Sequence, residues 1–481
     1  MAIKNRTELS SHGNNKGRET VFDILEAGLK APDPYENTRK MVRIVNGNLV
    51  VGHPDFAEPP GQELIVGYPD SAKPPGREPI VFELSKVNNI YVVGGGKSVQ
   101  RIAKALEDVL GERITEGHIC IKKGDPIEVN KVKVTLAGHP FPDEDSVLGA
   151  RKILNIEKKA KEGDIVFWCN SGGGTALMAL PAPGITLEEL QEVYRILYFE
   201  MGASMPEANA VRNLVTVLRG KHAKYVHDAT LIHILATELP PKLRGHKFQT
   251  GSHDDAYGRA IGVLKKYDCW DKVPESIREF FNKADPQYLF PTQEELQQRP
   301  YYFFRVMGPE YMLEAAKLKA ANMGLNTTII ASSLNDVEAS PLAEALAHIA
   351  IESEVMGRPF EPPCVFICGG EVVVKVGKAK GIGGRNQELV LCAAQLIAGS
   401  KNIVIASADS DGTDGPTDIA GGIVDGYSME RIAEEGIDLS QELNNHNSSY
   451  VLKTLGDAIY IEYTGANVRD LRVVYIGDTI R

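Results

Sequence analysis

Apolar residues along the 481-residue chain alternate between short unbroken runs and stripes that recur every three or four positions, the marks of buried strands and amphipathic helices. Residues 90–93 (IYVV) form one run. It ends at Gly94-Gly95-Gly96-Lys97-Ser98, after which Val99, Ile102, Ala103, Leu106, Val109 and Leu110 fall at helical spacing. The pattern predicts strand, glycine loop, helix. A second strand, residues 165–169, runs into Asn170-Ser171-Gly172-Gly173-Gly174-Thr175. Thr186 and Glu189 then make a capping box opening a helix that carries Leu187, Leu190, Val193 and Leu197. Residues 365–368 and 403–406 repeat the strand-then-glycine theme. Strands alternating with amphipathic helices predict an α/β chain of two three-layer domains with mostly parallel sheets, ligands lying beyond the carboxyl ends of the strands.

Between residues 240 and 300 the text turns polar and aromatic, which places a connection there and divides the chain into domains at 20–290 and 300–481. A short repeat, Leu49-Val50-Val51-Gly52-His53-Pro54-Asp55 echoed by Leu64-Ile65-Val66-Gly67-Tyr68-Pro69-Asp70, reads as an edge ribbon with Pro-Pro-Gly turns. At 43% hydrophobic and 24% charged residues the chain has the composition of a globular protein. No window reaches the ~20 apolar residues of a membrane span, and the polar first 20 residues lead us to expect a cytoplasmic protein. Six scattered cysteines read as buried thiols, and a formal charge of −11 disfavours a nucleic-acid binder. An anionic substrate therefore needs a local cluster of cations.

Several such clusters stand out. Gly94, Gly95 and Gly96 before Lys97 offer backbone N–H groups and a cation at a helix N-terminus, although the spacing is not that of a P-loop; a tight turn with a solvated lysine is the plain alternative. Ser171, Gly172, Gly173 and Gly174 form a second nest, and two nests in one domain could enclose a polyphosphate. Arg385 and Asn386 open a helix where a guanidinium can clamp a phosphate or carboxylate. Asp409, Asp411, Asp414 and Asp418 lack the glutamate of a calcium loop, since Ala420 stands there; they suit Mg²⁺ or a base, with Asx-turn chemistry the competing reading. His139-Pro140 with Asp143 reads as a structural turn. Glu207, Asn209 and Arg212 are spaced so that Arg212 can meet an anion or form an ordinary salt bridge.

Taken together, these motifs resemble the class II glycerate 2-kinase family, often labelled hydroxypyruvate reductase, whose members end in a MOFRL domain. The match runs from about Phe22 onward. It includes residues 93–98, His139-Pro140, residues 171–174, Glu207, Asn209 to Arg212, Gly369-Gly370-Glu371, residues 383–388, residues 411–418 and residues 464–468 with Asp470. The resemblance implies two α/β domains with the active site in an interdomain cleft. It also implies ATP with Mg²⁺ at Asp411 and Asp414, and phosphorylation of the 2-hydroxyl of D-glycerate. Lys97 and Arg385 would be the cationic pair, with the glycine loops and Asn386 on the nucleotide and Glu207, Asn209 and Arg212 on the acid. The chain departs from the family after Arg212, where Asn213-Leu214 and Gly220-Lys221-His222 replace an Arg-Lys-His-like run and a glycine pair. The loop across residues 236–256 is rebuilt, leaving Glu238 as the stand-in for a missing aspartate, and residues 463–467 are short of glycine and threonine.

The leading expectation is thus an ATP-dependent kinase of a small hydroxy acid, partnered by acid and nucleotide, with no nucleic acid or membrane and a homodimer left open. A kinase of a longer sugar acid and a catalytically silent binder are the alternatives. A reductase ranks last, because residues 94–98 do not supply the G-x-G-x-x-G fingerprint of dinucleotide sites.

Overall fold

A computed structural model describes residues 3–52, 79–238, 255–292, 295–296, 299–462 and 466–478. The Pro-Pro-Gly ribbon, most of the rebuilt loop and the 463–465 segment lie outside the described residues. The strands are β1 (Val42–Val45), β2 (Asn48–Val51), β3 (Ile80–Glu83), β4 (Ile90–Gly95), β5 (Glu116–Lys122), β6 (Lys133–Ala137), β7 (Ile165–Asn170), β8 (Thr230–Ala236), β9 (Tyr301–Met307), β10 (Asn326–Ala331), β11 (Cys364–Gly370), β12 (Ile403–Asp409), β13 (Gly421–Asp425), β14 (Ala458–Ile459) and β15 (Asp470–Ile476). Contacts divide the chain into two units, one spanning Pro34–Thr237 and Arg244–Val306, the other joining Met1–Asp33 and Glu238–Leu243 to Met307–Arg481.

The first unit holds a six-stranded sheet in the order β6-β5-β4-β7-β8-β9. The pairs from β6 through β8 are parallel. Strands β4 and β7 are buried along their whole length, which is why both read as unbroken apolar runs. The helix Val99–Leu110 returns the chain from β4 to β5, burying Ile102, Ala103, Leu106 and Leu110 at the predicted spacing. Sequence neighbours run outward in both directions from β4 and β7, so this pair is the topological switch point, where the carboxyl ends of open α/β sheets bind ligands. A separate meander, β1-β2-β3, is antiparallel.

The second unit corrects the expectation of a parallel sheet. Its order is β10-β11-β15-β12-β13-β14, and only β10 with β11 is parallel. The last strand, β15, inserts antiparallel between β11 and β12, a long-range pairing that local alternation of strand and helix does not encode. Three layers are nevertheless present. Phe366, Ile405 and Val474 face the core shared with helices Ala339–Met356 and Arg385–Leu396. A side chain at Gly17 would strike Val404 and one at Gly28 would strike Leu471, so helix Asn15–Lys30 covers the opposite face.

That helix also revises the proposed domain limits of 20–290 and 300–481, since the first 33 residues belong with the later unit. The tie is Arg18, fully buried, whose Nε donates to Asp425 at 2.6 Å and whose Nη1 donates to Asp457 at 2.6 Å.

Candidate active site

The loops after β4 and β7 bind each other before they could bind anything else. Gly96 N–H donates to Cys120 O at 3.1 Å, Lys97 N–H to Gly172 O at 2.9 Å, and Ser98 N–H to Ser171 Oγ at 2.9 Å. Gly94 and Gly95 lie within the β4 ladder. The expected row of free donors from Gly94 to Gly96 is therefore corrected: Gly94 and Gly95 belong to the sheet, Gly96 N–H is spent on β5, and the amides of Lys97 and Ser98 hold the two loops together. Gly96, at φ 145°, allows this closeness, because a Cβ there would sit 2.1 Å from Ser171 Oγ. Ser171 is buried and acts as the tie. Gly172 and Gly173, at the tip of the second loop, are the members whose N–H groups make no hydrogen bond among the described residues. Gly174 opens the short helix Gly174–Leu177.

Around that tip stand Lys97 and His139. A Cβ on Gly173 would lie 3.1 Å from the His139 ring and 3.4 Å from Lys97 Cγ. Lys97 is exposed and has no hydrogen-bond partner among the described residues. His139 precedes a cis proline, and burial, then Lys97, Lys122 and Arg212, push its imidazole down to about 4. It is a neutral ring at physiological pH.

The expected acid-binding trio separates. Glu207 is the third residue of helix Met205–Arg212; its carboxylate closes a capping box with Ser204, pairs with Lys266 and accepts from Tyr267 Oη at 2.7 Å. Lys266, Ser204 and Tyr267 hold it down at about 2. Its substrate role is thus corrected to a structural one, because every one of these partners stabilises the helix start. Asn209 accepts from Arg212 Nη2. Arg212 itself is buried, its guanidinium 4.3 Å from the ring centre of Tyr194 and 4.5 Å from that of Tyr198. Beside it stands Arg219, which sequence reasoning passed over. Its Nε donates to Thr175 Oγ1 at 3.1 Å and its Nη1 to Asn170 Oδ1 at 2.7 Å. Burial, then Arg212, lowers the Arg219 guanidinium to about 10. Glu238 follows β8, half-buried and unbonded among the described residues.

In the second unit the chemistry gathers at the ends of β12 and β15, where Asp409 and Asp470 are cross-strand partners. Arg385, first residue of its helix, donates from Nε to both Asp470 oxygens at 3.0 and 3.1 Å and from Nη2 to Asp409. Its Nη1 lies 3.5 Å from Glu371. Burial, then Asp470 and Asp411, push Asp409 up to about 8. Asp409 belonged to the aspartate run that stood out in the sequence, whereas Asp470 entered only as the close of a matched motif.

Two further expectations change here. Asp414 was expected to bind metal, but it is fully buried and accepts from Asn386 N and Gln387 N, both at 3.0 Å, and from the Asn386 and Gln387 side-chain amides at 3.2 Å. Its Oδ2 caps the helix of Arg385, and its Oδ1 holds the Asn386 side chain. Asn386, expected on the nucleotide, is buried as well, donating to Asp414 and Asp470 and accepting from Ser407. Asp411, half-buried, accepts from Thr413 N at 3.0 Å in an Asx-turn and from Asn467 Nδ2 at 3.2 Å. No group of three or more His, Cys, Asp or Glu side chains is poised to hold a metal among the described residues.

Comparison with known proteins decides between the readings. Residues 20–282 match the family described as domain of unknown function 4147, and residues 364–470 match the MOFRL family. Over 461 residues, 95% of this chain and 97% of its relative, the sequence is 33% identical to glycerate 2-kinase of Pyrococcus horikoshii. The chain belongs to the glycerate 2-kinase family. A second family member, D-glycerate 2-kinase of Thermotoga maritima, is 35% identical over 81% of this chain and 91% of its own. The crystal structure of a Thermotoga maritima glycerate kinase superposes with a TM-score of 0.74 at 29% identity, covering 95% of this chain and 99% of that one. No described helix is long and apolar enough to cross a membrane.

Proposed function

We propose that this chain is an ATP-dependent kinase that phosphorylates the 2-hydroxyl of D-glycerate in the cytoplasm. The observation that carries the reading is the coverage by D-glycerate 2-kinase of Thermotoga maritima at 35% identity, joined to the survival of both expected cations, Lys97 without a partner and Arg385 fixed between Asp409 and Asp470. In phosphoryl transfer the acid's hydroxyl oxygen bonds to the γ-phosphorus, the bond to the bridging oxygen breaks, ADP leaves and the hydroxyl proton departs. Catalysis of such a step is positioning and charge stabilisation. Lys97 would stabilise charge on the transferring group. Arg385, its plane fixed by Asp409 and Asp470, would orient the acid through Nη1, where the acid's carboxylate would take the place of the loosely held Glu371 at 3.5 Å.

Mg²⁺ fits the hard oxygens at Asp409 and Asp411, because it takes one or two carboxylates and completes its shell with substrate phosphates. Burial is the main reason that Asp409 is lifted, and the share that comes from Asp470 and Asp411 is what a divalent cation would relieve. Those two residues would hold the ion, which when bound would neutralise phosphate charge; Asp414, engaged by its helix, would not.

Coupled ADP release with D-glycerate, its L-isomer and longer sugar acids tests the reading, with phosphorus NMR separating 2- from 3-phosphoglycerate. Turnover of D-glycerate to the 2-phosphate is expected, and Lys97→Ala should lower kcat at least ~100-fold without altering thermal stability. A well-folded protein that turns over none of these acids would refute it.

A further inference from the structure

Three cations of the first unit share an unusual condition: Lys97, Arg212 and Arg219 meet no carboxylate among the described residues. Arg212 is 3% exposed, and its Nε is buried with no hydrogen-bond partner among the described residues. Arg219 donates through Nε and Nη1 to two neutral oxygens, which fix its plane while Nη2 makes no hydrogen bond among the described residues. A buried guanidinium at Arg212 beside a half-buried one at Arg219, with no counter-charge among the described residues, costs stability, and the Tyr194 and Tyr198 rings offset only part of the cost at Arg212. A bound anion completes such a set. Beside it lie the free N–H groups of Gly172 and Gly173 and the neutral His139 ring, all at the switch point of the parallel sheet.

We propose that Arg212 and Arg219 grip the phosphate chain of the nucleoside triphosphate beside Lys97, rather than the carboxylate of the acid. Charge decides between the two. Three unpaired cations match a polyphosphate, whereas a hydroxy acid carries a single negative charge. The second unit has the opposite balance, with Asp409, Asp411, Asp470 and Glu371 set against Arg385, Arg469 and Arg472. Phosphate oxygens are favoured where the cations are in surplus. Arg212 thereby moves from the acid, where its spacing had placed it, to the nucleotide. Arg219 is a new member of the site.

The inference rests on the kinase reading above, and the test separates the two. ATP, inorganic tripolyphosphate and D-glycerate are each titrated calorimetrically into the full chain, as wild type, Arg212→Gln and Arg219→Gln. Each variant should weaken ATP and tripolyphosphate about 10- to 100-fold, the size of one charge-assisted hydrogen bond, and leave D-glycerate unchanged. Arg219→Lys, which keeps the charge and loses the fork, should fall between. Weakened D-glycerate with unchanged ATP would overturn the proposal, as would no effect on either. Should a glutamine variant fail to fold, wild type alone still decides: tripolyphosphate must compete with ATP and not with D-glycerate, and the reverse overturns the assignment. If tripolyphosphate binding depends on Arg219 while D-glycerate is never turned over, the acid assignment fails and the phosphate grip stands. If turnover is normal and Arg219→Gln leaves ATP affinity intact, the grip fails and the kinase stands.

Discussion

The aspartates of residues 409–418 look alike in sequence, and replacing two of them separates a structural carboxylate from a reactive one. Asp414→Ala removes the acceptor for Asn386 N and Gln387 N, both at 3.0 Å, at the first turn of helix Arg385–Leu396. The two side-chain amides lose one acceptor each but keep others, Asp470 for Asn386 and Thr417 with the backbone oxygen of residue 414 for Gln387. An orphaned buried donor costs ~1–3 kcal/mol, so the two backbone groups alone put the loss at about 2–6 kcal/mol. Burial already pushes the Asp414 carboxyl up to about 6, a penalty that offsets part of its bonding. The expected loss is therefore toward the lower part of the range, about 3 kcal/mol, a large fraction of the ~5–15 kcal/mol of a typical fold. Asp411→Asn, half-buried and keeping a carbonyl acceptor for Thr413, should stay within ~0.5 kcal/mol of the wild type. Urea unfolding by far-UV circular dichroism, with hydrogen exchange on the amides of Arg385–Leu396, measures both. In kinase assays below the melting range of each variant, Asp411→Asn should need at least ~10-fold more Mg²⁺ for half-saturation, and Asp414→Ala should not. A stable Asp414→Ala enzyme starved of Mg²⁺ would refute the reasoning, since it would make Asp414 the metal ligand after all.

Arg18→Met leaves Asp425 and Asp457 buried without their shared partner and should destabilise the second unit by about 3 kcal/mol; an unchanged melting temperature would show that the first helix is not anchored there. Acid should weaken the first unit in a defined window. Burial, then Lys152 and Lys133, hold His118 near 4, and burial, then Lys97, hold His139 near 4, both below the ordinary imidazole value. Between about pH 6.5 and 4 the unfolded chain binds protons that the folded chain refuses, so stability is full above that window and falls as pH drops through it. Urea midpoints at pH 4.5, 5.5 and 7.5 check this, and His118→Gln should flatten the profile; midpoints that do not move with pH would contradict it.

What the sequence showed and what it hid divide along the range of the interactions. The strand, glycine loop and helix around Lys97, and the Thr186 box, are local, and each was legible because its signal lies within a few residues. Ser204 and Glu207 carry the same box signature, four residues long, so Glu207 could have been assigned to its cap from sequence alone. Asp414 could not, because its partners Asn386 and Gln387 lie 28 and 27 residues upstream and only the fold shows which helix it caps. Arg219 reaches back 44 residues to Thr175 and 49 to Asn170, and Arg18 spans 407 residues to Asp425, beyond any spacing rule. The formal charge of −11 hides the arrangement that matters most. Among the described residues, folding leaves Lys97, Arg212 and Arg219 without acids in one unit and carboxylates in surplus at Asp409, Asp411 and Asp470 in the other. A kinase must hold a polyanion, and local sorting of charge gives a chain of net negative charge a place to hold a nucleotide.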